Sequence, residues 1–127
     1  MKIKFSNAED APKAVGSYSQ AVHLSNHSEL VFVSGQVPET IDGDVPDNFE
    51  DQCRLVWKNI ERQLAMFDMT FNNLVKVTTF LSHPSQRQAQ SQIRNEILKD
   101  HQPALTVIIC DIYLSKWLLE IEAIAAR

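Results

Sequence analysis

From Ala104 to Cys110 the chain reads Ala-Leu-Thr-Val-Ile-Ile-Cys. Successive side chains of a strand point to opposite faces, so Leu105, Val107 and Ile109 would share one face and Thr106, Ile108 and Cys110 the other. Both faces are largely apolar, and contiguous apolar surface is not normally left in water. A fold for this chain must therefore cover the strand on two sides. What can cover it is limited, because only two stretches carry a helical period.

The clearer stretch is Asp47 to Thr70, where Asp47 with Glu50 three residues on forms a capping-box-like start. Phe49, Cys53, Val56, Ile60, Leu64 and Phe67 then recur at spacings of three and four, which puts Cys53 on the core face. A second helix runs from about Ser85 to Lys99, with Pro84 near its first turn and Ala89, Ile93 and Ile97 as a narrow apolar stripe. The other ordered segments read as strands. Lys2 to Phe5 is a short edge strand, and Tyr18 to Leu24 with Leu30 to Val37 form a predicted hairpin across the polar Ser25 to Glu29 turn. Leu74 to Leu81, Ala104 to Cys110 and Trp117 to Ala125 complete the set, while Ala11 to Gly16 and Pro38 to Pro46 are loops.

The order β-β-β-α-β-α-β-β predicts one α+β domain spanning residues 1–127, a mixed sheet with two helices on one face. Two helices cannot cover a second face. The most economical cover is another copy of the chain, so a homo-oligomer is expected.

Composition removes several classes of function. A chain of 127 residues with 44% hydrophobic content is long enough for one core but not for two domains, and three glycines and five prolines leave no room for a flexible linker. Twelve Lys and Arg against sixteen Asp and Glu give a net charge of −4 with both signs interspersed, so no nucleic-acid partner is expected. No apolar run approaches the ~20 residues of a membrane span, and the first ten residues lack a secretory h-region. The expected address is cytoplasmic, with no membrane partner. Cys53 and Cys110 stand in neither a metal nor a redox spacing and read as reduced, buried thiols. His23 and His27 flank a turn, His83 and His101 are isolated, and no metal site is expected. The common phosphate-binding and zinc-protease signatures are absent.

One strand carries an unusual charge pattern. In Trp117-Leu-Leu-Glu-Ile-Glu-Ala-Ile-Ala125, Glu120 and Glu122 share a face with Leu118 and Ile124. Carboxylates on such a face are either solvated or paired at an edge or interface, or they sit in a cleft where one can orient water or substrate.

Four segments, in order, resemble the landmarks of the reactive intermediate deaminase family, called RidA or YjgF. They are Ala11-Pro-Lys-Ala-Val-Gly-Ser-Tyr-Ser-Gln-Ala-Val22, Val31-Phe-Val-Ser-Gly-Gln-Val-Pro38, Val75-Lys-Val-Thr-Thr-Phe-Leu81 and Glu120-Ile-Glu-Ala-Ile-Ala125. The resemblance implies a chorismate-mutase-like fold and a homotrimer enclosing a central barrel, with a small-molecule cleft at each subunit interface. It also implies hydrolysis of reactive 2-imino or enamino acids to keto acid and ammonia, without metal or organic cofactor. Carried over by position, the catalytic residues resemble Tyr18 and Glu120. The substrate-binding positions correspond to Ser34, Gly35 and Gln36 and to Leu105, Thr106 and Val107.

The chain departs from the family at one decisive position. The family's carboxylate-clamping arginine follows a Pro-Ala pair, but here Pro103-Ala104 is followed by Leu105, and no arginine lies between Arg94 and Arg127. Ser17 replaces the usual proline before the tyrosine, and Ser91 and Arg94 stand where the second helix usually carries an asparagine and an aromatic. Loss of one partner of a desolvated ion pair costs roughly 2–5 kcal/mol, about 30-fold to several-thousand-fold in affinity or rate. Two readings stand. In one, the cleft is a retuned enzyme site where Tyr18 and Glu120 position water, and either another cation such as Arg94 or Lys116 replaces the clamp or the substrate lacks a carboxylate. In the other, it is a non-catalytic binding pocket for a more apolar small molecule or a protein partner. RNA binding or cleavage, also attached to the family, does not fit the acidic balance. On either reading, sedimentation at micromolar concentration is expected to show an oligomer, and a monomer alone would count against the uncovered-face argument.

Overall fold

The computed structural model describes residues 1–127. Its elements follow the expected order: β1 (Lys2–Ser6), β2 (Ala21–Ser25), β3 (Leu30–Gln36), α1 (Phe49–Ala65), β4 (Leu74–Leu81), α2 (Arg87–Leu98), β5 (Ala104–Ile109) and β6 (Leu119–Ala126). β3, β6, β4 and β5 form a mixed four-stranded sheet in that spatial order, parallel only between β4 and β5. No helix is long and apolar enough to cross a membrane.

The core lies between α1 and one face of this sheet. Cys53, Val56, Ile60 and Leu64 recur on one side of α1 and are fully buried, with Trp57 beside them. They meet Leu119, Ile121, Ala123 and Ala125, alternate residues of β6, and Val77 and Leu81 of β4. Full burial of each large aliphatic side chain here contributes about 1.5–3 kcal/mol. Desolvation pushes the Cys53 thiol up to about 12, so it stays protonated at neutral pH.

The opposite face of the sheet is uncovered, as the two-sided strand implied. Phe32 is 71% exposed and Ile108 44% exposed on it. Glu120, Glu122 and Ile124 of β6 point the same way, in rows with Phe80, Thr78 and Lys76 of β4.

Several local expectations need correction. The predicted β2–β3 hairpin does not form: β2 pairs with β1 in a separate two-stranded ribbon, and β3 pairs with β6. Ser28 and Glu29, taken as turn residues, instead donate their N–H groups to the Arg127 carbonyl at 2.7 and 2.9 Å. β6 is eight residues long and offers β3 a ladder at the centre of the sheet, which outweighs a local turn. Tyr18 consequently lies outside β2.

The first helix also starts and stops differently from its sequence reading. Its N-cap is Asn48 rather than Asp47: Asn48 Oδ1 accepts from Asp51 N at 2.8 Å. It ends at Ala65 rather than Thr70, because Asp68 adopts φ 55° while Met69 N and Asp68 N donate back to Leu64 O and Ala65 O at 3.1 and 3.2 Å. Phe67 is thereby turned outward, 53% exposed. β6 begins at Leu119 rather than Trp117, and β5 ends at Ile109, which leaves Cys110 past the strand end and only partly buried rather than in the core. Replacing the true cap, Asn48→Ala, is expected to lower stability by about 1 kcal/mol, whereas Asp47→Ala changes it by a few tenths at most; urea melts of the two variants distinguish them.

Candidate functional site

The residues singled out from the sequence fall into two groups on different parts of the chain. The first surrounds Tyr18. Ser19 is buried, and its N–H and Oγ donate to the consecutive carbonyls of Pro103 and Gln102 at 3.2 and 2.7 Å. These bonds hang the Ala11–Gln20 loop against the start of β5. Tyr18, Leu105 and Val107 consequently line a common cavity of about 350 Å³ beneath α2.

Helix α2 provides the rest of the wall. Arg87, Gln90, Ser91 and Arg94 follow an i, i+3, i+4, i+7 spacing, and all four line this cavity. Arg94 is only 4% exposed, with Nη1 donating to Gln90 Oε1 at 3.1 Å and Nη2 to Ser91 Oγ at 3.4 Å. Burial pushes its guanidinium below the usual range, while Tyr18 and Cys53 act in the other direction. The tyrosine hydroxyl has a single long contact, accepting from Val15 N at 3.4 Å.

The second group lies around Glu120 on the uncovered face. β3 changes register against β6 between Val33 and Gln36, leaving Ser34 and Gly35 in an irregularity of the ladder. Gly35 lets the Glu120 side chain lie close against β3: a Cβ at this position would come within 2.7 Å of Glu120 Cδ and displace that side chain. Gln36 Nε2 folds back to donate to Ser34 O at 2.9 Å. Gly35 and Gln36 also line the cavity of about 650 Å³ between β3 and α1. Its margin is pinned by Asn59 Nδ2, which donates to Val37 O and Glu39 O at 3.0 and 3.1 Å. Partial burial raises the Glu120 carboxyl above its usual value, and the neighbouring Glu122 raises it further.

Within one chain, Tyr18 and Glu120 do not meet. Leu105 and Val107 face the helices, whereas Glu120 points to the uncovered side, with β4 lying between β6 and β5. Thr106 also departs from the carried-over set. Strand alternation turns it to the uncovered face, where Lys76 Nζ donates to its Oγ1 at 2.6 Å. Of the two candidate replacement cations, only Arg94 reaches the tyrosine cavity. Lys116 lines a different one with Pro46, Gln52 and Leu118.

Three residues that organise these sites had no sequence signal as apolar positions. Gln52 is 2% exposed inside α1 and makes three bonds, from Nε2 to Pro46 O and Lys116 O and from Leu118 N to Oε1. Gln90 has no such signal either, and Ser91 stands out in the sequence only as a departure from the family pattern; the available clue is a polar stripe at helical spacing. No group of three or more His, Cys, Asp and Glu side chains comes together as metal ligands. His101 instead bonds Leu74 O at 2.6 Å and packs edge-on against Phe5.

Residues 8–127 match the family described as Endoribonuclease L-PSP, to which RidA and YjgF proteins belong. The chain belongs to the RidA family. A RutC family protein of Pyrococcus horikoshii is 32% identical over 125 residues, covering 94% of each chain. The crystal structure of RidA from an Antarctic Psychrobacter superposes with a TM-score of 0.74 at 26% identity, covering 98% of this chain and 99% of that one. A Rid family protein of unknown function from Yersinia pestis, YyfB, shares the fold with a TM-score of 0.85 over the whole of both chains, at 22% identity.

The raised Glu120 carboxyl gives this RidA family member a definite pH signature. A carboxyl whose folded pKa exceeds its unfolded value binds its proton more tightly when folded, so its burial costs stability at neutral pH and that cost fades as pH falls. Glu120→Gln is therefore expected to raise the melting temperature at about pH 8 and to converge on wild type at about pH 4. An equal effect at both pH values would show that ionisation is not the cause.

Proposed function

We propose that the chain works as a cytosolic homotrimer, with a small-molecule cleft at each subunit interface where reactive imines are hydrolysed. The carrying observation is that its two half-sites lie apart in one chain. Tyr18, Leu105 and Val107 stand at the β5 edge of the sheet, and Gly35 and Glu120 stand near the β3 edge and on the uncovered face. No strand pairs with the outer edge of β3, and that of β5 is bridged only at Ala104, by Ser19; a neighbouring copy that covers the apolar face around Phe32 and Ile108 would bring the β3 side of one chain to the β5 side of the next. Two unpaired cysteines suit a reducing compartment.

The chemistry follows from the two side chains. Water adds to the imine carbon, its oxygen forming the new C–O bond while the C=N electron pair moves to nitrogen and is protonated there. Collapse of this carbinolamine expels ammonia and leaves the keto acid. A carboxyl whose pKa lies above its usual value, as that of Glu120 does, is a stronger base for taking the proton from water and can return one to the leaving nitrogen. Tyr18 O–H is free to donate to the reacting group. The required groups are all on the protein, and the reading calls for no metal or organic cofactor.

Leu105 weakens this activity, because the strand position next to Tyr18 offers an apolar wall rather than a bidentate donor. With 2-iminobutyrate generated in situ by a dehydratase, the protein is expected to accelerate keto-acid release slowly. The acceleration should disappear in Glu120→Ala and increase in Leu105→Arg, by about tenfold or more. The apolar wall itself favours the second reading, a binding protein without turnover. Wild-type protein that gives no acceleration would overturn the hydrolase reading in favour of that one.

A further inference from the structure

Within its own chain, Arg94 is a buried cation without a counter-ion. It is 4% exposed, its Nε has no hydrogen-bond partner, and the two bonds it makes go to neutral oxygens of Gln90 and Ser91 on its own helix. None of the three ion pairs in the chain includes it. The same chain gives the cavity a second arginine, Arg87, and no acidic side chain. A guanidinium does not escape this by losing its proton. Taking it out of water without an opposing charge is costly, so a buried unpaired cation is normally completed by an anion.

We infer that this cavity is an anion-binding site in which Arg94, presented by α2 rather than by a sheet strand, grips the carboxylate of a small aliphatic monocarboxylate. The inference rests on the cleft reading above and names the group that anchors the ligand. The guanidinium fork suits a planar carboxylate. Tyr18 O–H stands in the same cavity as a further donor, and Leu105 and Val107 give the remainder of the ligand an apolar floor. At about 350 Å³ the cavity is near the small end of ligand sites, which fits a short aliphatic tail. On this assignment Leu105 is a contact for the tail, and the charge that β5 lacks enters from the helix.

Titration calorimetry with butyrate, and with its neutral isostere butyramide, tests the site on the full chain in its native assembly. Butyrate should bind and butyramide should bind far more weakly. Arg94→Met should weaken butyrate roughly 30-fold or more, and Arg94→Lys by less, since it keeps the charge without the fork. Ser91→Asp provides a variant that does not depend on removing Arg94. It places a carboxylate beside Nη2, and should raise the melting temperature while abolishing butyrate binding. Equal binding of butyrate and butyramide would overturn the inference, as would wild-type affinity in Arg94→Met or Ser91→Asp, or no butyrate binding by wild type. Butyrate has no imine to hydrolyse, so this readout is separate from turnover. Imine hydrolysis without Arg94-dependent butyrate binding sinks this inference alone and leaves the cleft reading standing.

Discussion

Packing of α1 against β6 is the contact on which the other elements depend. β6 lies between β3 and β4, and its alternate residues Leu119, Ile121, Ala123 and Ala125 form the floor beneath Val56, Trp57, Ile60 and Leu64. Alanines at 123 and 125 leave room for the large side chains of the helix to approach the sheet, as close packing requires. The same strand exposes Glu120, Glu122 and Ile124 on its other side. A single eight-residue element thus supplies both the centre of the core and the carboxylate of the candidate site. Strand alternation makes the two inseparable, because a one-residue slip would bury the glutamates and expose the core.

Polar side chains then fix the loops to that frame. Gln52 joins the loop at Pro46 to the segment preceding β6, Asn59 holds the chain after β3, and Ser19 fastens the tyrosine loop to the start of β5. Each is an interior group with its hydrogen bonds made, and each acts on residues far away in sequence. Arg94 is the exception. It is the one buried cation whose partners are only its helix neighbours, and it stands where the loop, α2 and β5 converge.

Legibility from sequence tracked the physical origin of each feature. Element order, both helices and the two-faced character of Ala104–Ile109 were readable, because apolar periodicity is a local property of the chain. Cys53 was correctly assigned to the core face for the same reason. Turn composition is local and suggests a β2–β3 hairpin, whereas β3 pairs with β6, a strand far later in the chain. The helix ends differ because Asn48 makes the capping side-chain bond for which the adjacent Asp47 is an equally suitable residue type, and Asp68 stops the helix through a positive φ that composition does not reveal. Thr106 was grouped with Leu105 and Val107 by position, although alternation sends it to the other face.

By itself, then, the sequence determined the class of fold, the family and the absence of an arginine after Pro103-Ala104, all of which reside in residue identity and spacing. Only the tertiary structure decided which side chains meet. It separated Tyr18 from Glu120 onto two faces, excluded Lys116 from the tyrosine cavity and brought Arg94 into it. The reason is that a cavity is made by elements remote in the chain. The charge of an arginine on a helix can be read from the sequence, but its burial without a counter-ion depends on what packs around it.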